Sequence, residues 1–231
     1  MTGILLILCV SIINKRAHAV DSASREGVQK KICYLTFDDG PSKNSGQILD
    51  ILAKYDAKAT FFLIGSEIRE ENREIIKRIA EDGHAIGLHS NVHRFEELYA
   101  GVDVCTQDFE AQYNLLKKEY GIDTKIFRFP GGSACSYMNG QRQAYIKAMR
   151  EKSFVGFDWH VSGEDSYGNP TEWSIQKNIF EHIGGYERPI ILLHDINTGD
   201  ATVGALPEIL EKLKKDGYSF ETLDTAEEYL Y

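Results

Sequence analysis

The feature that most constrains the fold of this chain is a regular alternation of short apolar segments with longer amphipathic ones. The short segments predict seven strands, at residues 32–37, 60–64, 85–88, 126–128, 154–157, 190–193 and 219–223. Apolar residues spaced three and four apart predict helices between them, at residues 45–55, 71–81, 102–120, 140–152, 171–183 and 202–215. Strands that alternate with helices pair in parallel. The sequence therefore predicts an α/β fold with one parallel sheet, either open or closed into a barrel.

The N-terminus has a different character. Residues 4–13 form an apolar run of about ten residues, too short to span a bilayer, and Ala17-His18-Ala19 resembles a signal-peptidase site. Lys15 and Arg16 follow the apolar run, whereas a signal peptide normally carries its basic residues first. We expect a signal peptide or N-terminal anchor at residues 1–19, a polar linker at 20–31 and a single folded domain at 32–231. An additional N-terminal helix is the alternative for residues 1–19.

The charge of the chain restricts its partners. There are 26 Lys and Arg residues against 35 Asp and Glu residues, for a net charge of −9, and no basic stripe. Affinity for nucleic acid comes mainly from the neutralisation of phosphates. We therefore expect no nucleic acid partner, and we expect a substrate that is neutral or weakly charged. No protein partner is evident from the sequence.

Titratable residues follow five of the predicted strands, at the point where each strand ends. Carboxyl ends of parallel strands lie on one side of the sheet, where α/β folds place their functional sites. The five segments are Thr36-Phe37-Asp38-Asp39-Gly40-Pro41, His89-Ser90-Asn91-Val92-His93, Arg128-Phe129-Pro130-Gly131-Gly132, residues 159–165, and Leu192-Leu193-His194-Asp195. We expect these residues to lie close together at the carboxyl end of the sheet.

Two histidines in these segments have the spacing of a metal site. His89 and His93 are four residues apart and can face one side of a helical turn, and one carboxylate from Asp38 or Asp39 would complete a three-ligand face. The other aspartate would then serve as general base beside a metal-bound water, and His194 could donate a proton. Each element also has a structural alternative. Isolated histidines are often core or surface residues, and Asp-Gly-Pro is a common turn sequence.

The ordered motifs also carry a family resemblance. TFDDG, HSNVH, RFPGG, WHVSGED and LLHD resemble the five motifs of the NodB-homology polysaccharide deacetylases, carbohydrate esterase family 4, which include bacterial peptidoglycan N-acetylglucosamine deacetylases. The resemblance covers residues 32–223 and implies a distorted (β/α) barrel of about seven parallel strands in a single domain.

The resemblance also implies a role for each motif residue. Asp38 matches the catalytic base, and Arg128 matches the arginine that pairs with it. Asp39, His89 and His93 match the ligands of one divalent metal ion, expected to be Zn²⁺, with Co²⁺, Ni²⁺ or Mn²⁺ as alternatives. The Gly131 N–H matches the oxyanion donor, and Leu192 lines the acetyl pocket. His194 matches the general acid, and Asp165 the residue that orients it.

The expected activity is hydrolytic removal of N-acetyl groups from a glycan, with release of acetate. Peptidoglycan is the expected substrate, since a leader and a single domain suit a secreted or cell-envelope enzyme. Chitin oligosaccharides, O-acetylated xylan and a non-catalytic sugar-binding role are alternatives. Non-haem iron oxygenases share the two-histidine, one-carboxylate face but order these residues differently.

Two positions depart from the family pattern and bear on substrate choice. Many members have a side chain where this chain has Gly131, so the groove wall should be thinner here. The fourth motif usually ends in Asp-Trp, whereas this chain has Asp165-Ser166, which removes one wall of the acetyl pocket. Trp159 is a candidate to compensate.

Three cysteines lie beyond the leader. The predicted topology places Cys105, at a helix start, and Cys135, after a strand end, on the rim that carries the active site. We expect these two to form a disulfide in an oxidising compartment and Cys33 to be free, remote and buried. The alternative is that all three are packing residues.

Overall fold

The computed structural model describes residues 31–230, and its organising feature is one parallel sheet of eight strands. The strands are β1 (Lys31–Asp38), β2 (Ala59–Leu63), β3 (Ala85–Leu88), β4 (Ile126–Phe127), β5 (Val155–Gly156), β6 (Val161–Ser162), β7 (Ile190–His194) and β8 (Tyr218–Phe220). They pair in the order β5-β4-β3-β2-β1-β7-β6, and β8 pairs with the start of β1. The two end strands, β5 and β6, are joined by residues 157–160 alone, so the sheet curls into a distorted (β/α) barrel, as predicted.

Helices surround this sheet. They are α1 (Ser45–Lys54), α2 (Arg73–Glu81), α3 (Phe95–Leu98), α4 (Val102–Tyr120), α5 (Arg142–Glu151), α6 (Glu172–His182) and α7 (Asp200–Lys215). Six of them confirm the predicted helices to within two residues at each end, and the four-residue α3 was not predicted. Within residues 31–230, no helix is long and apolar enough to cross a membrane.

The structure has one strand more than predicted, the two-residue β6. β4 and β5 are equally short but lie within apolar runs, whereas Val161 is the only apolar residue in its immediate segment, so the sequence predicts no strand there. The leader predicted at residues 1–19 and residues 20–30 of the predicted linker lie outside the described part of the chain. Lys31, placed in the linker by the sequence, is the first residue of β1.

Alternation along β1 separates two apolar clusters. Cys33, Leu35 and Phe37 pack in the larger cluster, together with the buried residues of the helices. Ile32 and Tyr34 belong to a smaller cluster that fills the barrel interior. Since successive side chains of a strand point to opposite faces, the next two residues on the inner face of β1 are polar, at the carboxyl end of the strand. The inner face thus changes from apolar to polar along the barrel axis.

Candidate active site

The inner faces of the central strands deliver the predicted site residues to one end of the barrel. On β1 the inner face continues from Tyr34 to Thr36 and Asp38, and on β7 it continues from Ile190 to Leu192 and His194. These strands pair in register, with Asp38 opposite His194. Strand alternation alone therefore brings a carboxylate and an imidazole together at the mouth.

Asp38 is paired with Arg128 inside the barrel. Arg128, which is fully buried, donates from Nη1 to Asp38 Oδ1 at 2.8 Å and to Thr36 Oγ1 at 2.6 Å. Its Nε and Nη2 donate to the carbonyl oxygens of Phe157 and Asp158, both at 2.9 Å. The guanidinium thus compensates the negative charge of Asp38 and fixes the orientation of its carboxylate.

Asp39, His89 and His93 converge beside this pair. One ligand atom from each of the three lies within 4.8 Å of the other two. Asp39 Oδ1 is 3.1 Å from His93 Nε2 and 3.4 Å from His89 Nε2, and the two imidazole centroids are 5.0 Å apart. The sequence-predicted ligand set is therefore assembled in space.

The protonation pattern of this cluster fits a metal ion. His89 Nδ1 lies 2.9 Å from the Arg128 carbonyl oxygen, which can only accept, so Nδ1 carries the proton and Nε2 presents a lone pair. Asp39 Oδ1 is buried and accepts no hydrogen bond from the described residues. Two imidazole nitrogens and one carboxylate oxygen at these distances suit a divalent cation.

The conformation of the histidine segment differs from the prediction. Residues 89–93 form a loop rather than a helical turn, and both Ser90 (φ 69°) and His93 (φ 51°) are left-handed. These two backbone reversals turn the imidazoles toward each other. The spacing of four residues therefore identified two histidines that do lie together, but the helical turn that it predicted between them is wrong.

His194, at the carboxyl end of β7, is held by Asp165. Its Nδ1 lies 2.7 Å from Asp165 Oδ1, and its backbone N–H donates to Asp165 Oδ2 at 2.8 Å. Thr202 Oγ1 also donates to Oδ2, at 2.8 Å. Burial lowers the pKa of His194, but Asp165, followed by Asp38 and Asp39, outweighs burial and raises that pKa to about 9. Nε2 is the imidazole nitrogen left for substrate.

Gly131 lies in the turn that follows β4. Its backbone is left-handed (φ 75°), and its N–H donates to no group within residues 31–230. A Cβ at this position would lie 3.0 Å from Phe95 Cε1 and 3.2 Å from Cys135 Sγ. The turn therefore favours glycine and leaves a backbone donor available at the exposed edge of the site.

The acetyl-pocket candidates occupy two sides of the mouth. Leu192 is 5% exposed, on the inner face of β7 that also carries His194. Ser166, where the family pattern has tryptophan, is exposed. Trp159 is half-buried, with its ring over the Arg128 guanidinium at 5.7 Å and about 3 Å from a Cβ placed on Gly132. Trp159 therefore lies beside the predicted oxyanion turn.

Three supporting residues received no role from the sequence. Asp195 accepts the Ser42 and Ser45 hydroxyls, each at 2.5 Å, and its N–H donates to the Asp38 carbonyl at 2.8 Å, so it fixes the turn after β1. The available signal was the Asp that directly follows His194. Asp108 and Gln112 support the histidine loop from α4, and their signal was two polar residues four apart on a largely buried helix face.

The predicted disulfide is not formed. Cys33, Cys105 and Cys135 are all free thiols. Cys105 is completely buried in the larger apolar cluster, whereas Cys135 is partly exposed and lies against the Gly131 turn. Cys33 is free and buried, as predicted.

A family model described as polysaccharide deacetylase matches residues 25–149, more than half of the chain. The chain belongs to the polysaccharide deacetylase family. Its members are hydrolases, and the five motifs that suggested this family therefore did so correctly.

Individual polysaccharide deacetylases support this assignment. The peptidoglycan-N-acetylglucosamine deacetylase of Bacillus cereus is 35% identical over 84% of this chain and 70% of its own length. A bifunctional xylanase/deacetylase of Pseudobutyrivibrio xylanivorans is 34% identical over 84% of this chain, which corresponds to 30% of that protein. Among solved structures, the catalytic domain of a peptidoglycan N-acetylglucosamine deacetylase from Eubacterium rectale superposes with a TM-score of 0.79. It is 28% identical, and the match covers 89% of this chain and 94% of that one.

Proposed function

We propose that this polysaccharide deacetylase removes N-acetyl groups from N-acetylglucosamine units of peptidoglycan, releasing acetate. The observation that supports this most directly is the placement of two acid–base pairs at one mouth. Asp38, which is paired with Arg128, has its Oδ2 3.6 Å from His89 Nε2. His194, which is paired with Asp165, lies on the neighbouring strand, opposite Asp38. Hydrolysis of an amide needs both a base for water and an acid for the amine, and the two pairs supply them.

We further propose Asp39, His89 and His93 as ligands of one divalent ion. Three protein ligands with an open position are typical of catalytic zinc, so Zn²⁺ is our first choice, with Co²⁺, Ni²⁺ and Mn²⁺ as alternatives. When bound, such an ion supplies Lewis acidity toward the acetamide carbonyl and lowers the pKa of a coordinated water to roughly 7.

The protein groups then divide the reaction between them. Asp38 accepts a proton from the attacking water while Arg128 holds its carboxylate in place. The Gly131 N–H donates to the carbonyl oxygen as negative charge develops there. His194 donates its proton to the nitrogen, the C–N bond breaks, and acetate leaves a glucosamine unit with a free amine. Leu192 and Trp159 surround the acetyl methyl group.

Parallel acetate-release assays test the substrate class. Purified peptidoglycan, chitin oligomers and acetylated xylan are compared with the same enzyme and metal. We expect the highest kcat/KM on peptidoglycan. The xylanase/deacetylase relative makes acetylated xylan the second candidate. A preference for xylan would transfer the proposal to ester substrates, and no acetate from any of the three would contradict it.

The same proposal implies where the enzyme acts. Peptidoglycan lies outside the cytoplasmic membrane, so we propose that the protein is secreted or held at the cell envelope, with residues 32–231 as its catalytic domain. Fractionation of cells that express the full chain tests this directly.

His194→Ala should reduce turnover of an N-acetyl substrate by about 10²–10⁴-fold, the usual contribution of one acid–base group. The amine is a poor leaving group until it is protonated, whereas an activated aryl acetate leaves without a proton. The loss on the aryl acetate should therefore be much smaller. Equal losses on the two substrates would remove His194 from the role of general acid.

Asp165→Asn should move the alkaline limit of activity toward neutral pH. Asp165 is the main group that raises the pKa of His194 to about 9, and His194 can donate only while it is protonated. A bound cation opposes the contributions of Asp38 and Asp39, but Asp165 lies on the opposite side of the imidazole. We expect the alkaline limb of the kcat profile to shift down by about one to three pH units. An unshifted limb would show that another group sets it.

A further inference from the structure

The carboxylate of Asp108 lies under the loop that carries both histidines. Asp108 Oδ2 accepts from Ser90 Oγ at 2.7 Å and from the Asn91 N–H at 2.6 Å, and its Oδ1 accepts from the Val92 N–H at 3.2 Å. All three donors belong to the segment between His89 and His93. The half-buried side chain of Asp108, on α4, thus accepts hydrogen bonds from three consecutive residues of the loop.

These bonds reach a proposed metal ligand through Ser90. The Ser90 hydroxyl donates to Asp108 and accepts from the His93 N–H at 3.0 Å, so a continuous chain links the carboxylate to the His93 backbone. Ser90 and His93 are both left-handed, a conformation that is costly for residues with a Cβ and persists where the surroundings enforce it. Asp108 is the group that supplies this constraint.

Gln112 provides a second anchor one turn along α4. It is fully buried, its Oε1 accepts from the His89 N–H at 3.1 Å, and its Nε2 donates to the Leu63 carbonyl oxygen. The side chains of Asp108 and Gln112, four residues apart, share one face of the helix. Gln112 therefore holds the first residue of the loop, His89, and Asp108 holds the three residues that follow it.

We propose that Asp108 is a positioning residue that sets the metal affinity of the Asp39–His89–His93 site by holding this loop in its left-handed conformation. The inference rests on the metal site proposed above. Without the carboxylate, the loop is free to relax, His93 moves relative to His89, and the ion must reorganise the loop when it binds. The chemistry carried out by Asp38 and His194 stays unchanged once the metal is in place.

The test is a competition between a fluorescent chelator and the metal-stripped full chain for Zn²⁺. Asp108→Ala should bind Zn²⁺ about 10–100-fold more weakly than the parent, the usual effect of removing support behind a ligand. Saturating Zn²⁺ should then restore kcat close to the parent value with KM for the glycan unchanged. Asp103→Ala is the matched control, because Asp103 is an exposed aspartate on the same helix. It should bind like the parent.

Equal Zn²⁺ affinity in Asp108→Ala and Asp103→Ala would overturn the proposal, as would a kcat that excess Zn²⁺ fails to restore. If Asp108→Ala does not fold, Asp108→Asn is measured in the same way, and parent-like affinity there would equally overturn it. A parent chain that binds no Zn²⁺, Co²⁺, Ni²⁺ or Mn²⁺ would instead refute the metal site itself, and the role of Asp108 with it.

Discussion

His93→Ala is expected to release the metal ion and reduce deacetylation to background. Asp39, His89 and His93 are the cluster of potential metal ligands among residues 31–230, and Asp39 and His89 alone offer two donors. Changes behind a ligand already weaken metal binding by about 10–100-fold, so the loss of a direct ligand should exceed that range. His89→Ala and Asp39→Ala should behave alike. The measurements are metal content after dialysis and acetate release from peptidoglycan.

His182→Ala is the control for these variants, since His182 is an exposed histidine near the end of α6. It should keep both metal and activity. A His93→Ala protein that retains stoichiometric metal with a parent-like dissociation constant would show that the ion is bound elsewhere.

Asp38→Asn is expected to keep the metal and lose turnover. An amide cannot accept the proton of the attacking water, so kcat should fall by at least about 10²–10⁴-fold. The amide oxygen introduced by this substitution can still accept from Arg128, but the buried guanidinium loses its counter-charge. Breaking a buried ion pair costs about 3–5 kcal/mol of stability, so Tm should also fall.

Metal content separates the two effects, because a folded Asp38→Asn protein that binds the ion has lost only the base. The exposed Asp56, in the turn after α1, provides a matched control as Asp56→Asn. Parent-like turnover by Asp38→Asn would assign the base to another residue.

The barrel and the positions of its site residues were predictable from the sequence because both follow from strand alternation. Asp38, Arg128 and His194 lie where the inner face of a strand meets its carboxyl end. Any parallel sheet with these strands brings them together, whatever the lengths of its loops. The proximity of His89 and His93 was also predicted, although by an incorrect helical argument.

The remaining features depend on contacts between segments distant in sequence. Ser90 and His93 are left-handed in a loop that donates hydrogen bonds to Asp108, which lies on another element. The two-residue strand β6 exists because β7 offers it a partner. Whether Cys105 could reach Cys135 depended on how deeply the start of α4 is buried. None of these features leaves a periodic signal in the local sequence.

Arg128 links the reactivity of the site to the integrity of the barrel. The guanidinium that faces Asp38 also donates to the carbonyl oxygens of Phe157 and Asp158, in the short connection that spans the open seam between β5 and β6. A lysine ammonium could not replace the planar guanidinium of Arg128, whose N–H donors point in several fixed directions at once. Substitutions at this position therefore cannot alter the environment of Asp38 without loosening the seam. Constraints on the site and constraints on folding act here through the same side chain. Adaptation to a new substrate is therefore expected at exposed positions outside the seam, such as Ser166.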